Sequence, residues 1–385
     1  MRVFIISRGY PSERYVTNGI FEFDQAKALA KDGHEVIFLV CDMRSFRRKR
    51  KFSWESFTKD GVQIEALNIP CGKIPKRLLC RIRSSAIKKL YQKSVQKYGK
   101  PDIVHSHFLE ISYCTAKALK SENVPLVMTE HLSTLNNKTI PENLIQLGKN
   151  TYQHYDKVIA VGKEIADTIE RNFGIQAEII PNIADTDSFT LETANETAKK
   201  PKETFRVISV GALIKRKHMD LLIKAFCKFS ENCPGAYLDI YGKGAEKENL
   251  QNLIAENGRE KQIILHGARP RTEIAQQMKQ ADCFALASDV ETFGVVYIEA
   301  MAMGLPVIAT KSGGPENFVN SENGMLIEAG SEEVLVNALK TMYNNSSTYN
   351  RMKIRDYVLN NFSPSAVAEK IGRVYREVTD KNTAM

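Results

Sequence analysis

At 385 residues the chain exceeds the roughly 250–300 at which a single hydrophobic core stops growing, so two domains are expected. Apolar residues make up 43% and charged residues 26%, and no apolar run approaches the roughly 18 residues that span a bilayer, which excludes an integral membrane protein. The net charge of +9 is concentrated between Arg44 and Lys100, where 17 Lys and Arg face only Glu55, Asp60 and Glu65; the rest of the chain is net acidic.

Val3 to Ile6 reads as a first strand. It stops at Ser7-Arg8-Gly9-Tyr10-Pro11, too short for the core of a signal peptide and without a small-residue cleavage site. Two basic segments follow the second strand, Glu35 to Val40. They run from Arg44 to Phe52 and from Lys73 to Lys97, the latter with Ile74, Leu78, Leu79, Ile82, Ile87 and Leu90 set among the bases. Such a surface gains about 1 kcal/mol per charge on anionic headgroups, so peripheral membrane attachment is expected. A solvated basic face is the plain alternative. Nucleic acid is disfavoured because the chain has no helix-turn-helix, RNP or zinc-finger pattern.

Strands at Ile103 to His105, Leu126 to Met128 and Lys157 to Val161 alternate with helical patterns, which predicts a parallel sheet covered on both faces. Residues 190–204 are polar, with three lysines and Pro201, and read as a linker. A second alternating series starts at Arg206 and continues through Leu238 to Tyr241, Gln262 to Leu265, Cys283 to Ala287 and Pro306 to Ala309. The expected division is a first α/β domain over 1–189, the linker, a second over 205–360, and a C-terminal helical segment over 361–385 that returns to the first. Ligands in such folds bind beyond the C-terminal ends of the strands. Seven cysteines, an odd number with no two-residue spacing, argue against a disulfide framework and a structural zinc, and fit a reducing cytoplasm.

The most informative stretch is Glu291-Thr292-Phe293-Gly294-Val295-Val296-Tyr297-Ile298-Glu299, followed by a buried helical pattern to Met303, by Gly304, and by Gly313-Gly314-Pro315-Glu316. Glu291 precedes the helix and Glu299 lies within it. A helix start offers unpaired N–H groups to a phosphate, and a carboxylate accepts two hydrogen bonds from a vicinal diol. The pair therefore reads as a sugar-nucleotide pocket.

With Gly211-Ala212-Leu213-Ile214-Lys215-Arg216-Lys217, Tyr241-Gly242-Lys243-Gly244, Ala281-Asp282 and Ser288, and with Asn18-Gly19-Ile20-Phe21, Asp102-Ile103-Val104-His105-Ser106-His107, Thr129-Glu130-His131 and Pro181-Asn182-Ile183-Ala184-Asp185, these residues resemble the retaining glycosyltransferases of family 4. The resemblance covers nearly the whole chain and implies the GT-B fold, two Rossmann-like domains facing across a cleft. It implies that Glu299 holds a ribose diol and Glu291 a hydroxyl of the donor sugar, with backbone amides at Phe293, Gly294 and Val295 orienting sugar and phosphate. Arg216 and Lys217 match the basic pair that neutralises the donor diphosphate, Gly19 the loop that approaches the phosphates, and His131 the histidine near the donor sugar. The chain departs from the family at Ala212, where many relatives have arginine, and at His218, where a glycine commonly follows the lysine. His105 and His107 are assigned to structure or cleft lining. The resemblance further implies no metal and no cofactor.

The implied activity is transfer of a hexose, with retention, from a nucleoside-diphosphate sugar to a saccharide or polyprenyl-linked acceptor in cell-surface polysaccharide synthesis, at the inner face of the plasma membrane. A UDP-sugar is the favoured donor and GDP-mannose the other candidate. The rival readings are an isomerase like the nucleotide-sugar 2-epimerases, which share the architecture, and a non-catalytic binding partner.

Overall fold

The computed structural model describes residues 1–12, 15, 18–45, 51–137, 139–191 and 204–383. The chain divides into two compact units, Met1–Ile183 with Pro364–Met385, and Ala184–Ser363.

In the first unit the described elements are β1 (Arg2–Ser7), α1 (Ile20–Lys31), β2 (Glu35–Ser45), β3 (Ser53–Lys59), β4 (Val62–Cys71), α2 (Lys76–Tyr98), β5 (Ile103–His107), α3 (Leu109–Ala118), β6 (Leu126–Glu130), α4 (Glu142–Lys149), β7 (Lys157–Ala160), α5 (Lys163–Phe173) and β8 (Glu178–Ile179). They form an eight-stranded sheet in the order β3-β4-β2-β1-β5-β6-β7-β8. Val3, Ile5, Phe38 and Val127 are fully buried within it, as strands covered on both faces require.

This sheet is not wholly parallel. β3 pairs antiparallel with β4, Lys59 opposite Val62. The turn is Asp60-Gly61, both with positive φ (48° and 79°), the conformation that joins tight hairpins. The hairpin lies inside the basic region but carries only Lys59 against Glu55, Asp60 and Glu65, and the β3 aromatics, Trp54 and Phe57, fall on opposite faces, so no apolar period marks the strand.

In the second unit β9 (Phe205–Val210), α6 (Met219–Ser230), β10 (Ala236–Tyr241), α7 (Lys247–Glu256), β11 (Ile263–Gly267), α8 (Arg271–Gln280), β12 (Cys283–Leu286), α9 (Val295–Ala302), β13 (Val307–Thr310), β14 (Gly324–Ile327), α10 (Glu332–Asn345) and α11 (Arg351–Phe362) build a six-stranded sheet, β11-β10-β9-β12-β13-β14. Among the described residues its strand pairs are all parallel. α12 (Pro364–Thr383) ends the described chain and belongs to the first unit. Proline suits the first position of a helix and disfavours helical geometry in the residue before it, so α11 stops at Phe362 with Ser363 extended. Val367, Ile371, Val374 and Tyr375 of α12 then join Phe23 and Leu29 of α1 in the core.

The units change over earlier than residue 189. The Ala184 N–H donates to the Phe362 carbonyl at 2.8 Å, Phe189 is fully buried, and Arg355 of α11 donates to the Phe189 carbonyl at 3.1 Å, so residues 184–189 belong with the second unit. The linker reading falls, for residues 192–203, outside the described residues.

The second basic segment is α2. Ile87 and Leu90, expected among its membrane-facing residues, are buried with Ala86 and Tyr91 against the sheet; each such burial stabilises by about 1.5–3 kcal/mol. Its N-terminal turns differ: Lys76, Arg77, Leu78 and Arg81 are exposed. Some of the charge serves the fold. Lys97 Nζ donates to Glu65 Oε1 at 2.8 Å, and Lys93 lies 3.9 Å from the Trp54 ring. In the first basic segment residues 46–50 lie outside the described residues. Among the described residues no helix is long and apolar enough to cross a membrane.

Candidate functional site

In the first unit the sequence-derived candidates are Gly19 and His131. Gly19 caps α1 in the left-handed conformation, φ 67°, and a Cβ there would run into the Gly9 carbonyl. Two loops thus meet backbone to backbone after β1, an approach that only glycine allows. His131 follows β6 directly and is 6% exposed. The Phe21 and Phe108 rings flank it at 6.2 and 4.9 Å between centroids. Burial pushes its pKa down to about 3, assisted by the nearby positive charges, so the ring is neutral at pH 7.

Sequence reasoning gave no site role to three residues here. Glu130 is fully buried and accepts the N–H groups of His131 and Leu132, each at 2.9 Å, and the Tyr152 hydroxyl at 3.1 Å. It holds the backbone that carries His131. Desolvation raises its pKa to about 7 against those hydrogen bonds. Arg8 stacks on Phe108, 4.0 Å from the ring centroid, and lies 3.9 Å from the buried Glu22, whose pKa burial raises. The signal for Arg8 and Glu22 lay in their places flanking the Gly19 loop. His105 and His107, assigned to structure or cleft lining, are fully buried.

In the second unit the glutamate motif is a loop and a helix start. Glu291 is 7% exposed; its N–H donates to the Ser312 carbonyl at 2.8 Å, and Ser288 Oγ donates to its Oε1 at 2.9 Å. The same oxygen pairs with the Lys217 ammonium, whose side chain is 12% exposed. Gly294 caps α9 at φ 90°, where a Cβ would crowd the Tyr297 ring. A Cβ at Gly314 would meet the Phe293 backbone, so the Gly313-Gly314 turn lies against the motif. Glu316 closes that turn by accepting the Gly313 N–H at 3.0 Å. The first N–H groups of α9, at Val295 onward, have no acceptor within the helix.

Glu299, one turn into α9, is 5% exposed and faces Arg271 of α8 at 3.2 Å. Arg271 also reaches Asp185 at 3.4 Å. Neither Arg271 nor Asp185 was picked out from sequence as a partner of Glu299, because 28 and 114 positions separate them from it.

The basic turn Lys215–Lys217 is a short 3-10 helix ended by His218 at φ 44°. That is the backbone a glycine adopts freely, which fits the glycine that the family resemblance leads one to expect at this position. His218 holds it by pairing with Asp289 at 2.6 Å, while the Asp289 N–H donates to the Arg216 carbonyl at 3.0 Å. Lys217 is thus turned to Glu291, and the Arg216 side chain is exposed. Gly242 and Gly244 serve the same loop: a Cβ on either would strike the Gly211 or Leu213 carbonyl.

A family model described as glycosyl transferases group 1 matches residues 192–357, and one described as Glycosyltransferase Family 4 matches residues 22–188. The chain is 30% identical to an uncharacterized glycosyltransferase of Haemophilus influenzae over 85% of this chain and 86% of that one. It is 26% identical to an alpha-monoglucosyldiacylglycerol synthase of Acholeplasma laidlawii over 99% and 98%. The match to the lipopolysaccharide core biosynthesis glycosyltransferase LpsE of Rhizobium meliloti, 29% identical, covers 44% of this chain and 49% of the relative, so here the chain spans about half the relative's length. Among solved structures, a sucrose-phosphate synthase from Thermosynechococcus elongatus superposes with a TM-score of 0.81 at 21% identity over 99% of both chains. The Anabaena protein HepE in complex with UDP does so with 0.74 at 19%, over 98% and 99%. Both likenesses show the fold, and it is GT-B.

Proposed function

The chain belongs to the family 4 and group 1 glycosyltransferases, and from that membership we propose that it transfers a hexose, with retention, from a nucleoside-diphosphate sugar to a hydroxyl of a saccharide or lipid-linked oligosaccharide in polysaccharide or glycolipid synthesis. The observation that carries the proposal is the pairing of two buried carboxylates with two cations in the second unit, Glu291 with Lys217 and Glu299 with Arg271. A ligand with a ribose diol, a diphosphate and a sugar presents hydroxyls to the carboxylates and negative charge to the cations, and so can replace both ion pairs. Glu299 takes the ribose, Glu291 a sugar hydroxyl, and the amides at Phe293, Gly294 and Val295 the sugar and phosphate. Arg216 and Lys217 stabilise the diphosphate as it leaves with growing negative charge, work done elsewhere by a divalent cation. In this reading no metal takes part.

A retaining reaction with a covalent intermediate needs a carboxylate beside the anomeric carbon. In this reading Glu291 accepts from a sugar hydroxyl and so is no nucleophile for the anomeric carbon, which favours same-face attack: the acceptor oxygen bonds to the anomeric carbon as the C–O bond to phosphate breaks, and that phosphate takes the acceptor's proton. Gly19 and His131 act toward the donor's phosphates and sugar by the same family reading. A UDP-sugar is favoured, supported by the neighbour HepE, which is described in complex with UDP and glucose.

Thermal-shift measurements with UDP-, GDP-, ADP- and dTDP-sugars in EDTA test the donor, because a ligand bound only to the folded state raises the midpoint. One responder is expected; no response in EDTA with a response in Mg²⁺ refutes the metal-free reading. NMR of the product tests the stereochemistry, and an inverted linkage sinks retention.

The exposed start of α2 and the exposed Phe52 support docking on an anionic membrane at the cytoplasmic face: Phe52 is 69% and Leu78 46% exposed, with Lys76, Arg77 and Arg81 beside Leu78 in sequence. Co-sedimentation with anionic but not neutral liposomes, lost on charge reversal at Lys76, Arg77 and Arg81, is expected. Equal sedimentation with both lipids rejects it.

A further inference from the structure

The helices α2 and α3 of the first unit pack on each other, and each brings one cysteine to the contact, Cys80 from α2 and Cys114 from α3. The Cys114 thiol donates to Cys80 Sγ at 3.2 Å, where a bonded pair of sulfurs would stand at about 2.05 Å. All seven cysteines are free thiols, and the glycosyl transfer proposed above uses neither of these two.

The two sulfurs differ in access. Cys114 is 1% exposed; burial, joined by the hydrogen bond to Cys80, pushes its pKa up to about 12, so it keeps its proton at pH 7. Cys80 is half-buried and is the sulfur that a small solute meets first. The setting is basic. Lys117 lies near enough for both sulfurs to act on its ammonium, and Arg83 acts in turn on Cys114. Arg83 is three positions on from Cys80, so both leave the same face of α2. Its Nε–H is buried without an acceptor, a donor that an oxygen or negative charge on this face would satisfy. Cations beside a sulfur favour its attack as the anion, and an accessible thiol next to a second one is the arrangement that oxidises selectively and reversibly.

We propose that Cys80 and Cys114 are a modification site for hydroperoxides, with Cys80 the sulfur oxidised first and Cys114 the one that resolves it into a reversible disulfide joining α2 to α3. Cys80 Sγ, as thiolate, bonds to one peroxide oxygen while the O–O bond breaks, and the oxygen released as an anion takes a proton from solvent. Cys80 is then a sulfenic acid. Cys114 Sγ next bonds to Cys80 Sγ as the S–O bond breaks, and the hydroxide leaves as water with the Cys114 proton. The two thiols lose two electrons and the peroxide gains them. The bond ties the first turns of α2, with the exposed Lys76, Arg77 and Leu78, to α3. A transient bond of this kind is compatible with a reducing compartment and with the absence of a disulfide framework.

The test treats the reduced full chain with hydrogen peroxide, alkylates the thiols that remain, and maps them by mass spectrometry of a digest made without reductant. Loss of alkylation at Cys80 and Cys114 together is expected, with one peptide pair joined through them, two hydrogens lighter than the separate peptides and released by dithiothreitol. Cys71 and Cys233, also half-buried, should stay alkylated at the same dose. In Cys114→Ala, dimedone should trap a sulfenic acid at Cys80; in Cys80→Ala, Cys114 should stay reduced. Equal loss at Cys71, Cys233 and Cys80 with no joined pair overturns the proposal, as does a bond that forms only between two copies of the chain. Oxidation of Cys114 undiminished in Cys80→Ala overturns the order of the two sulfurs. If neither variant folds, the map of the wild-type chain decides.

Discussion

Replacing Glu130 with glutamine should change how the stability of the first unit depends on pH. The carboxyl is fully buried, and its pKa rises from 4.5 to about 7 in the folded state. Below pH 4.5 it is protonated whether the chain is folded or not. Between 4.5 and 7 the unfolded state gives up the proton and the folded state keeps it, so each rise in pH in that window lowers stability. The shift of about 2.5 units corresponds to about 3 kcal/mol, complete above pH 7. Glu130→Gln carries no such proton. Relative to wild type it should therefore gain about 3 kcal/mol between pH 4.5 and 8, on top of a constant offset for altered hydrogen bonds to His131, Leu132 and Tyr152. The buried histidines run the other way: His105 and His131, held near 3, cost stability as pH falls below 6.5, and this common term cancels in the difference. Urea unfolding followed by tryptophan fluorescence is a suitable assay, because the single tryptophan, Trp54, lies on β3 of this unit. A wild-type-minus-variant difference that stays flat from pH 5 to 8 refutes the argument and makes Glu130 an ionised hydrogen-bond acceptor throughout.

Glu299→Ala should remove the donor-induced thermal shift: two hydrogen bonds to a charged group, at about 1.5–3 kcal/mol each, correspond to at least about a hundredfold weaker binding, and an unchanged titration takes Glu299 out of the ribose role. Gly19→Ala forces a side chain into left-handed backbone and against the Gly9 carbonyl. It should destabilise the first unit by at least about 1–2 kcal/mol, seen as a lower urea midpoint at Trp54, and an unshifted midpoint contradicts the packing described. At His218 the same backbone argument predicts tolerance: His218→Gly should change stability by less than about 1 kcal/mol in thermal unfolding, whereas His218→Val should cost more than His218→Gly. Equal effects of the two would mean that the turn, and not φ, decides.

What is local in the chain was legible from residues alone. The short apolar runs became β1, β2, β5, β6 and β7 and the strands from β9 to β13 because strands buried on both faces need consecutive apolar residues. The glutamate motif was legible for a similar reason: nine consecutive residues contain the loop carboxylate, the glycine cap at Gly294 and the helix carboxylate. The edge hairpin β3–β4 was written only in Asp60-Gly61, because β3 itself has no apolar period. Its neighbour α2 shows the limit of composition, since bases and apolar residues in alternation do not say which face a helix turns inward. Only packing separated the buried Ile87 and Leu90 from the exposed Leu78.

The partners of the site residues belong wholly to tertiary structure. Lys217 lies 74 positions from Glu291, and Asp185 lies 86 from Arg271; parallel strands joined by long crossovers bring such residues to one end of a sheet, and no local pattern records the meeting. The stacking of His107 on His131 has the same origin. His107 and His131 are 24 positions apart, yet the β5–β6 register sets their rings 5.3 Å apart with one hydrogen bond between them. The sequence determined which residues could do the chemistry; burial and register, properties of the folded chain, decided their charges and their neighbours.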